Sequence, residues 1–484
     1  MKIRLLYADR DAGSQGASPE GWEGVLAFCG AESVVKLMAG ADVGLAQACR
    51  KALLHPLAQA TEVAYRQDAV RDALAHPDAV RHLFALAQGE ATRSVAERPE
   101  CTFTELVQIA GLYRKALEEL GGVARELRSD ASSVAFRRFC DEAAGLADQS
   151  YLRAFDDLLK ELGRTKSAFM SVELDPTGEP HFTLRAYPRR TDWIRWKVSG
   201  AVSGDAASEV QERDRRARLA HAQEELRPEL WRMLAGMGRF FRILRDEVGF
   251  YVGCINLADA LEKAGVRWCL PSVNDALDVA TQERSCEELS CIGENGCVNV
   301  LEEAKGKGML FWIVEGKKGS GKTTLLAAWC QAQVMAQAGF PVCAAEMSLP
   351  VRSGIQAISS HGRDATCLEE EFTDAKERLS SAAEGSLIFW DDPFKGLSQG
   401  EAAQILQEAV RALTEAKAEV VLATDNALVS ANNLARRGVF HIRCEKDGQR
   451  FSAIPGRPRK DSSLADAFKE VFGEELGEAA GLGR

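Results

Sequence analysis

Apolar residues recur at helical spacing from about residue 24 to residue 170, with few breakers between them. The part up to residue 88 predicts several short helices, with Pro56 and Pro77 marking turns or helix starts. Residues 105–127 and 133–162 predict two longer amphipathic helices. At 167–200 the pattern changes to β-branched and aromatic residues around an Asp175-Pro176-Thr177-Gly178 turn, which predicts a small strand-containing insertion. Residues 206–264 return to helix, as one or two long elements interrupted near Pro228. Residues 265–308 then read as an approach segment with Pro271 and a glycine-containing loop.

From residue 309 the period alternates. The unbroken apolar run 309–314 has the character of a strand buried on both faces. Further strands are expected at 341–345, 386–390, 419–424 and 439–444, with helices between them, notably 374–383 and 399–417. Alternating strand and helix implies a largely parallel sheet covered on both faces. The tail reads as a charged linker, a helix over 463–476 and small residues at the end. The fold class is therefore multidomain: an all-α part with a small β-containing insertion, followed by an α/β part. The divisions fall at 1–30, 31–264 with the insertion at about 167–200, 265–460 and 461–484.

With 484 residues the chain is too long for one ordinary core. Its net charge of -11 argues against indiscriminate coating of nucleic acid, so DNA contact needs a local basic surface. No apolar run is long enough to span a bilayer, and the start has too short an apolar core for a signal peptide. Thirteen cysteines without a paired framework fit a reducing cytoplasm.

The chemistry concentrates after the 309–314 strand. Gly316, Lys317, Lys318, Gly319, Ser320, Gly321, Lys322 and Thr323 fit G-x-x-x-x-G-K-[ST] at every fixed position. Leu325, Leu326, Trp329 and Val334 follow at helical spacing. In the order strand, glycine loop, helix, backbone amides close around phosphate oxygens and the helix N-terminus adds its positive dipole end. Lys322 is expected to reach the β- and γ-phosphates of ATP, and Thr323 to hold Mg²⁺. The strand 386–390 runs into Asp391 and Asp392. Asp391 is expected to hold the metal, and Asp392 to orient or deprotonate the attacking water. Ser398, with Glu401 three residues on, reads as a helix N-cap rather than as a transporter signature. Arg185, Arg189, Arg190, Arg195 and Lys197 interleave with Tyr187, Trp193 and Trp196, a composition suited to a phosphate backbone or to a solvated edge. Arg239, Arg242 and Arg245 share one helical spacing, facing DNA or water. Cys269, Cys286, Cys291 and Cys297 cluster without the spacing of a zinc ribbon or finger.

These motifs resemble the ATPase of the MutS family of mismatch-repair clamps. The family's GPNxxGKST is similar to Gly316 through Thr324, and its SLVLLDEIGRGTS to the SLIFWDDPFKGLS that begins at Ser386. Its AQIGxFVPAE looks like the run from Ala336 to Glu346, and its STFMVEM like the run from Thr366 to Phe372. The upstream LLHPLxxxxEVxxRxDAV, from Leu53 to Val70, is similar to the start of the family's helical core and lever. The resemblance covers about residues 30–460. It implies a core and lever with a clamp-like insertion, then a P-loop ATPase domain of the ABC and MutS type. It also implies a homodimer paired through that domain, with Thr366 reaching the partner's γ-phosphate, Thr324 and Asp425 lining the nucleotide site, and lever arms that close on double-stranded DNA. Departures stand beside it. The catalytic Glu is Asp392, one methylene shorter, so hydrolysis is expected to be slow. The family's ATH is Ala423-Thr424-Asp425, and its loop asparagine is Lys318. The mismatch-reading domain is expected to be absent, and the wedge-like Phe103-Thr104-Glu105 reads as core packing. The expectation is a cytoplasmic, Mg²⁺-dependent ATPase that clamps DNA without reading mismatches. Its rivals are an ATP-binding switch with weak hydrolysis that grips a protein, and a small-molecule phosphotransferase.

Overall fold

The computed structural model describes residues 3–10, 18–89, 100–163, 168–174, 180–186, 205–275, 283–307, 310–360, 365–429, 438–447 and 450–455. The chain divides into two compact units, one of residues 1–14 and 71–252 and the other of residues 15–70 and 253–484. Two of the three divisions fall inside helices, α4 (Ala60–Ala75) and the long α9 (Asp205–Lys263).

Among the described residues, the first unit is helical apart from one hairpin. α5 spans Pro77–Ala87 and α6 spans Phe103–Asp130. α6 starts on a capping box in which the Glu105 amide donates to Thr102 Oγ1 at 3.3 Å and the Thr102 amide donates back to Glu105 Oε2 at 2.8 Å. Its buried stripe runs Phe103, Leu106, Ile109, Tyr113, Leu117 and Leu120, so Phe103 packs into the core as its spacing implies. The single helix expected over 133–162 is two helices, α7 (Val134–Leu146) and α8 (Gln149–Gly163). The break has a local cause: Asp148 accepts from the Ser150 amide at 3.0 Å, which starts α8 afresh. A Cβ on Gly121 of α6 would stand 2.0 Å from Ala147 Cβ, so only glycine lets this corner lie against α6.

Asp72 anchors the start of α7 by accepting from the Ser132 amide at 3.1 Å and the Ser133 amide at 2.8 Å. The N-terminal segment is held to α9, where Glu247 accepts from the Leu5 amide at 2.6 Å and the Tyr251 hydroxyl donates to the Leu5 carbonyl at 2.6 Å. α9 does not break near Pro228 as expected; the proline lies inside one 59-residue helix. Proline costs the helix one amide donor and crowds the carbonyl four residues back, and burial of Leu230 and Leu234 just beyond offsets that cost. The strand-containing insertion is an antiparallel hairpin of β1 (Ala168–Leu174) and β2 (Pro180–Ala186), with Phe169 opposite Arg185.

The second unit carries α1 (Trp22–Phe28), α2 (Ala31–Ala39), α3 (Val43–Leu54) and two sheets. The larger sheet uses β6 (Phe311–Glu315), β8 (Gly354–Ser359), β9 (Ser386–Asp391), β10 (Glu419–Thr424), β11 (Val439–Asp447) and β12 (Arg450–Pro455). Its order is β12-β11-β6-β10-β9-β8, parallel except for the antiparallel edge β12. Every residue of β9 and β10 is buried, as strands covered on both faces require. α10 (Lys322–Gln337), α11 (Ala365–Ser380) and α12 (Gln399–Glu415) connect these strands. Ser398 caps α12, its hydroxyl accepting from the Glu401 amide at 3.4 Å and its own amide donating to Glu401 Oε2 at 3.2 Å.

The smaller sheet, of order β3-β7-β4-β5, lies largely in the stretch read as an approach segment. It contains β3 (Ser272–Asn274), β4 (Glu283–Gly293), β5 (Gly296–Lys307) and β7 (Glu346–Pro350). The run 341–345 is not a strand. Phe340 to Ala344 are buried, but Val342 makes only an isolated bridge to Cys269, and the ladder begins at Glu346. Burial gave the run its apolar character without strand pairing. No helix among the described residues is long and apolar enough to cross a membrane.

Candidate functional site

β6, β10 and β9 run parallel, so their carboxyl ends share one edge. Glu315 stands level with Thr424, and Ala423 with Asp391. β8, β9 and β10 lie to one side of β6, while β11 and β12 lie to the other. The loop after β6 therefore sits at a reversal of strand order, the place where open α/β sheets hold ligands.

That loop is shaped by its glycines. A Cβ on Gly316 would stand 2.3 Å from Ser320 Oγ and 2.7 Å from the Cys444 carbonyl. Gly319 and Gly321 take φ of 81° and 96°, and a Cβ on Gly321 would also meet the Phe451 ring at 2.6 Å. Gly321 is the N-cap of α10, and the first residue of that helix is Lys322. The Lys322 side chain is 5% exposed, and its ammonium donates to the Gly316 carbonyl at 3.0 Å and the Lys317 carbonyl at 3.5 Å. Lys317 and Lys318 are exposed at the loop tip, and Thr324 is half-buried in the first turn of α10.

The end of β9 faces this loop. The Thr323 hydroxyl donates to the Asp391 carboxylate, at 2.9 Å and 3.1 Å from its two oxygens. Burial pushes the Asp391 carboxyl above its ordinary range; the Thr323 hydrogen bond opposes this, Asp392 adds to it, and Lys395 and Lys322 oppose it. Asp392 Oδ2 lies 3.4 Å from Lys395 Nζ and 3.8 Å from Lys322 Nζ. Asp392 has φ of 43° and Phe394 has φ of 59°, both uncommon for residues other than glycine.

Two buried polar atoms here have no hydrogen-bond partner among the described residues: Ser320 Oγ, inside the glycine loop, and Asp392 Oδ1. Buried polar atoms are ordinarily satisfied, so the Ser320 hydroxyl marks where a ligand oxygen fits and Asp392 Oδ1 marks where a donor such as water fits. A cradle of amides with a lysine ammonium, beside a hydroxyl and a buried carboxylate, suits a polyphosphate together with a divalent cation.

The fold thus joins Lys322 and Thr323 to Asp391 and Asp392 across 68 residues of sequence. Asp425 follows β10 and is exposed. Thr366 lies in the first turn of α11. Arg185 lies in β2, while Arg189, Arg190, Arg195 and Lys197 lie outside the described residues. Cys269, Cys286, Cys291 and Cys297 form no group poised to hold a metal ion among the described residues. Three neighbours were not singled out from sequence: Lys395, Phe451 and Glu371. Lys395 carried a signal, three residues after Asp392; Phe451 carried none, because it reaches the loop only through the β11–β12 pairing.

Two matches with known proteins bear on this chain. The family described as the MutS2 N-terminal domain matches residues 58–264. The protein named endonuclease MutS2 from Anaeromyxobacter sp. (strain Fw109-5) is 31% identical over 117 residues, 23% of this chain and 14% of the relative. The chain thus spans far less than two thirds of that relative. Both matches support a MutS-related family for this chain.

Proposed function

We propose that this chain is a Mg²⁺-dependent ATPase that couples its nucleotide state to engagement of double-stranded DNA. The observation that carries the reading is the Thr323–Asp391 hydrogen bond beside the Lys322-bearing glycine loop, at a reversal of strand order. The loop amides from Lys317 to Thr323, with the Ser320 hydroxyl, hold the phosphates of ATP, and Lys322 turns from the loop carbonyls to the β- and γ-phosphate oxygens. Thr323 and Asp391 hold Mg²⁺, which when bound offsets charge on the phosphate oxygens. Asp392 orients the attacking water and accepts its proton, with Lys395 Nζ 3.4 Å from its Oδ2. By resemblance, Thr324 and Asp425 border the nucleotide, and Thr366 reaches the γ-phosphate of a second copy, so the working form is a homodimer in the cytoplasm.

DNA engagement rests on the MutS-related matches, with the basic sequence run of Arg185, Arg189, Arg190, Arg195 and Lys197 as its contact surface. The relative's nuclease name is not carried over, since the match spans only 14% of it. The testing experiment is steady-state ATP turnover with and without linear duplex DNA. Turnover that rises with DNA, and falls off steeply as salt is added, supports the reading. Turnover indifferent to DNA favours the second reading, an ATP-binding switch with weak hydrolysis that grips a protein. The observation favouring that alternative is Asp392 itself, a short carboxylate held between Lys322 and Lys395.

A further inference from the structure

We propose that Glu371 is a positioning residue whose buried carboxylate sets the backbone that aims Asp392; this rests on the ATPase reading above. On α11, Leu368 and Ala375 pack into the core around Phe394 and Trp390, and the partly exposed Phe372 stacks on Phe394. Glu371 falls on the same face by the i, i+3, i+4, i+7 spacing, where an apolar residue is expected. It is nonetheless a glutamate with no exposed surface. A carboxylate is retained in such a place only with a strong donor. One donor is the backbone amide of Phe394, which meets Glu371 Oε1 at 2.7 Å.

The segment so held is unusual. Asp392 and Phe394 both have left-handed φ, with Pro393 between them. Such conformations persist only where surrounding contacts over-determine them. Here the Asp392 amide donates to the Ala423 carbonyl at 3.0 Å, and the Leu397 amide closes a turn on the Phe394 carbonyl at 3.0 Å. The Phe394 ring stacks on Phe372 at 4.8 Å and meets the edge of Trp390 at 5.7 Å. β10 therefore fixes the segment at Asp392 and α11 fixes it at Phe394. Glu371 also stands five residues after Thr366 on one helix, so a displacement of α11 reaches Asp392 through this carboxylate.

The test is made on the full chain with Glu371→Ala and Glu371→Gln, reading turnover and ATP binding separately. Loss of the acceptor in Glu371→Ala lowers kcat about ten- to hundredfold, the worth of a hydrogen bond to a charged acceptor, while ATP affinity changes less than about twofold. Glu371→Gln keeps an acceptor oxygen and recovers most of that loss. Hydrogen exchange supplies a readout independent of turnover: Glu371→Ala loses protection at 392–397 and keeps it at 311–315. If the alanine variant does not fold, Glu371→Asp, which withdraws the carboxylate by one methylene, is read the same way. A wild-type chain without turnover removes the ATPase reading, and the exchange arm still decides the positioning role. Unchanged protection at 392–397, an unchanged kcat, or equal losses of kcat and ATP affinity overturns the proposal.

Discussion

Replacing Asp391 by Asn removes a charge that burial disfavours while keeping an oxygen for the Thr323 hydroxyl. Asp391 is only 8% exposed, and burial raises its pKa despite the Thr323 hydrogen bond. A carboxyl whose folded pKa lies above its unfolded value of 3.8 destabilises the fold once the pH exceeds that unfolded value. The penalty grows as pH rises through the folded pKa and stays full above it; at lower pH, with both states protonated, it is absent. Asp391→Asn lifts it, and a single stabilising substitution commonly amounts to about 0.5–2 kcal/mol. At about 2–4 °C per kcal/mol, the variant without ligand unfolds roughly 1–8 °C higher at pH 7. The advantage shrinks as the pH falls toward 4.

Mg·ATP reverses the ranking. At a hundred times its dissociation constant a ligand stabilises by about 2.7 kcal/mol, which the wild-type chain gains. The Asn variant has lost the charge that holds the metal and gains far less. Thermal unfolding of both proteins, with and without Mg·ATP and at pH 4.5 and 7, reads all four quantities. A variant less stable than wild type without ligand, yet stabilised equally by Mg·ATP, contradicts both the burial penalty and the metal role.

Three other expectations can be checked. Glu419, almost fully buried, is ion-paired to the equally buried Arg352 and accepts from Trp312 Nε1 at 2.7 Å. Glu419→Gln removes the charge that faces this buried guanidinium, so chemical denaturation should show a loss of about 3–5 kcal/mol; a loss under 1 kcal/mol contradicts this. Gly321→Ala sets a Cβ into the Phe451 ring at a φ that alanine resists, and should cost about 1–3 kcal/mol and weaken ATP binding, measured by calorimetry. Asp72 is pushed up by burial, but hydrogen bonds from Ser133 and Ser132 carry its pKa below 3.8 overall. Its stabilisation is therefore full above that pH and lost as pH falls through the folded pKa, and Asp72→Ala should lose about 1–2 kcal/mol at pH 7 with a flatter acid dependence.

The sequence carried the glycine loop, the Ser398 cap and the buried strands at 386–390 and 419–424, because each is written in contiguous residues with one physical cause. It carried Lys322, Thr323, Asp391 and Asp392 for the same reason. It misled where burial and pairing diverge: 341–345 is apolar because it is enclosed, and the strand follows it. The hairpin of β4 and β5 was overlooked because glutamates interrupt its alternation, although the Glu294-Asn295-Gly296 turn was a usable signal. Residues 133–162 carry apolar residues at helical spacing on both sides of Ala147, and the break that Asp148 imposes shows only as a change in which face they occupy. Pro228 shows the opposite case, a breaker that does not end its helix. Glu371 was legible only as an acidic residue within a family-like run; its burial and its hold on Phe394 needed the fold.

The decisive measurement is calorimetric titration of the wild-type chain and Lys322→Ala with ATP in the presence of Mg²⁺. Saturable binding by the wild type, lost in Lys322→Ala while its circular dichroism and unfolding temperature stay unchanged, is the expected outcome. Undiminished binding by a folded Lys322→Ala protein, or no binding by the wild type, contradicts the assignment of this loop to a nucleotide.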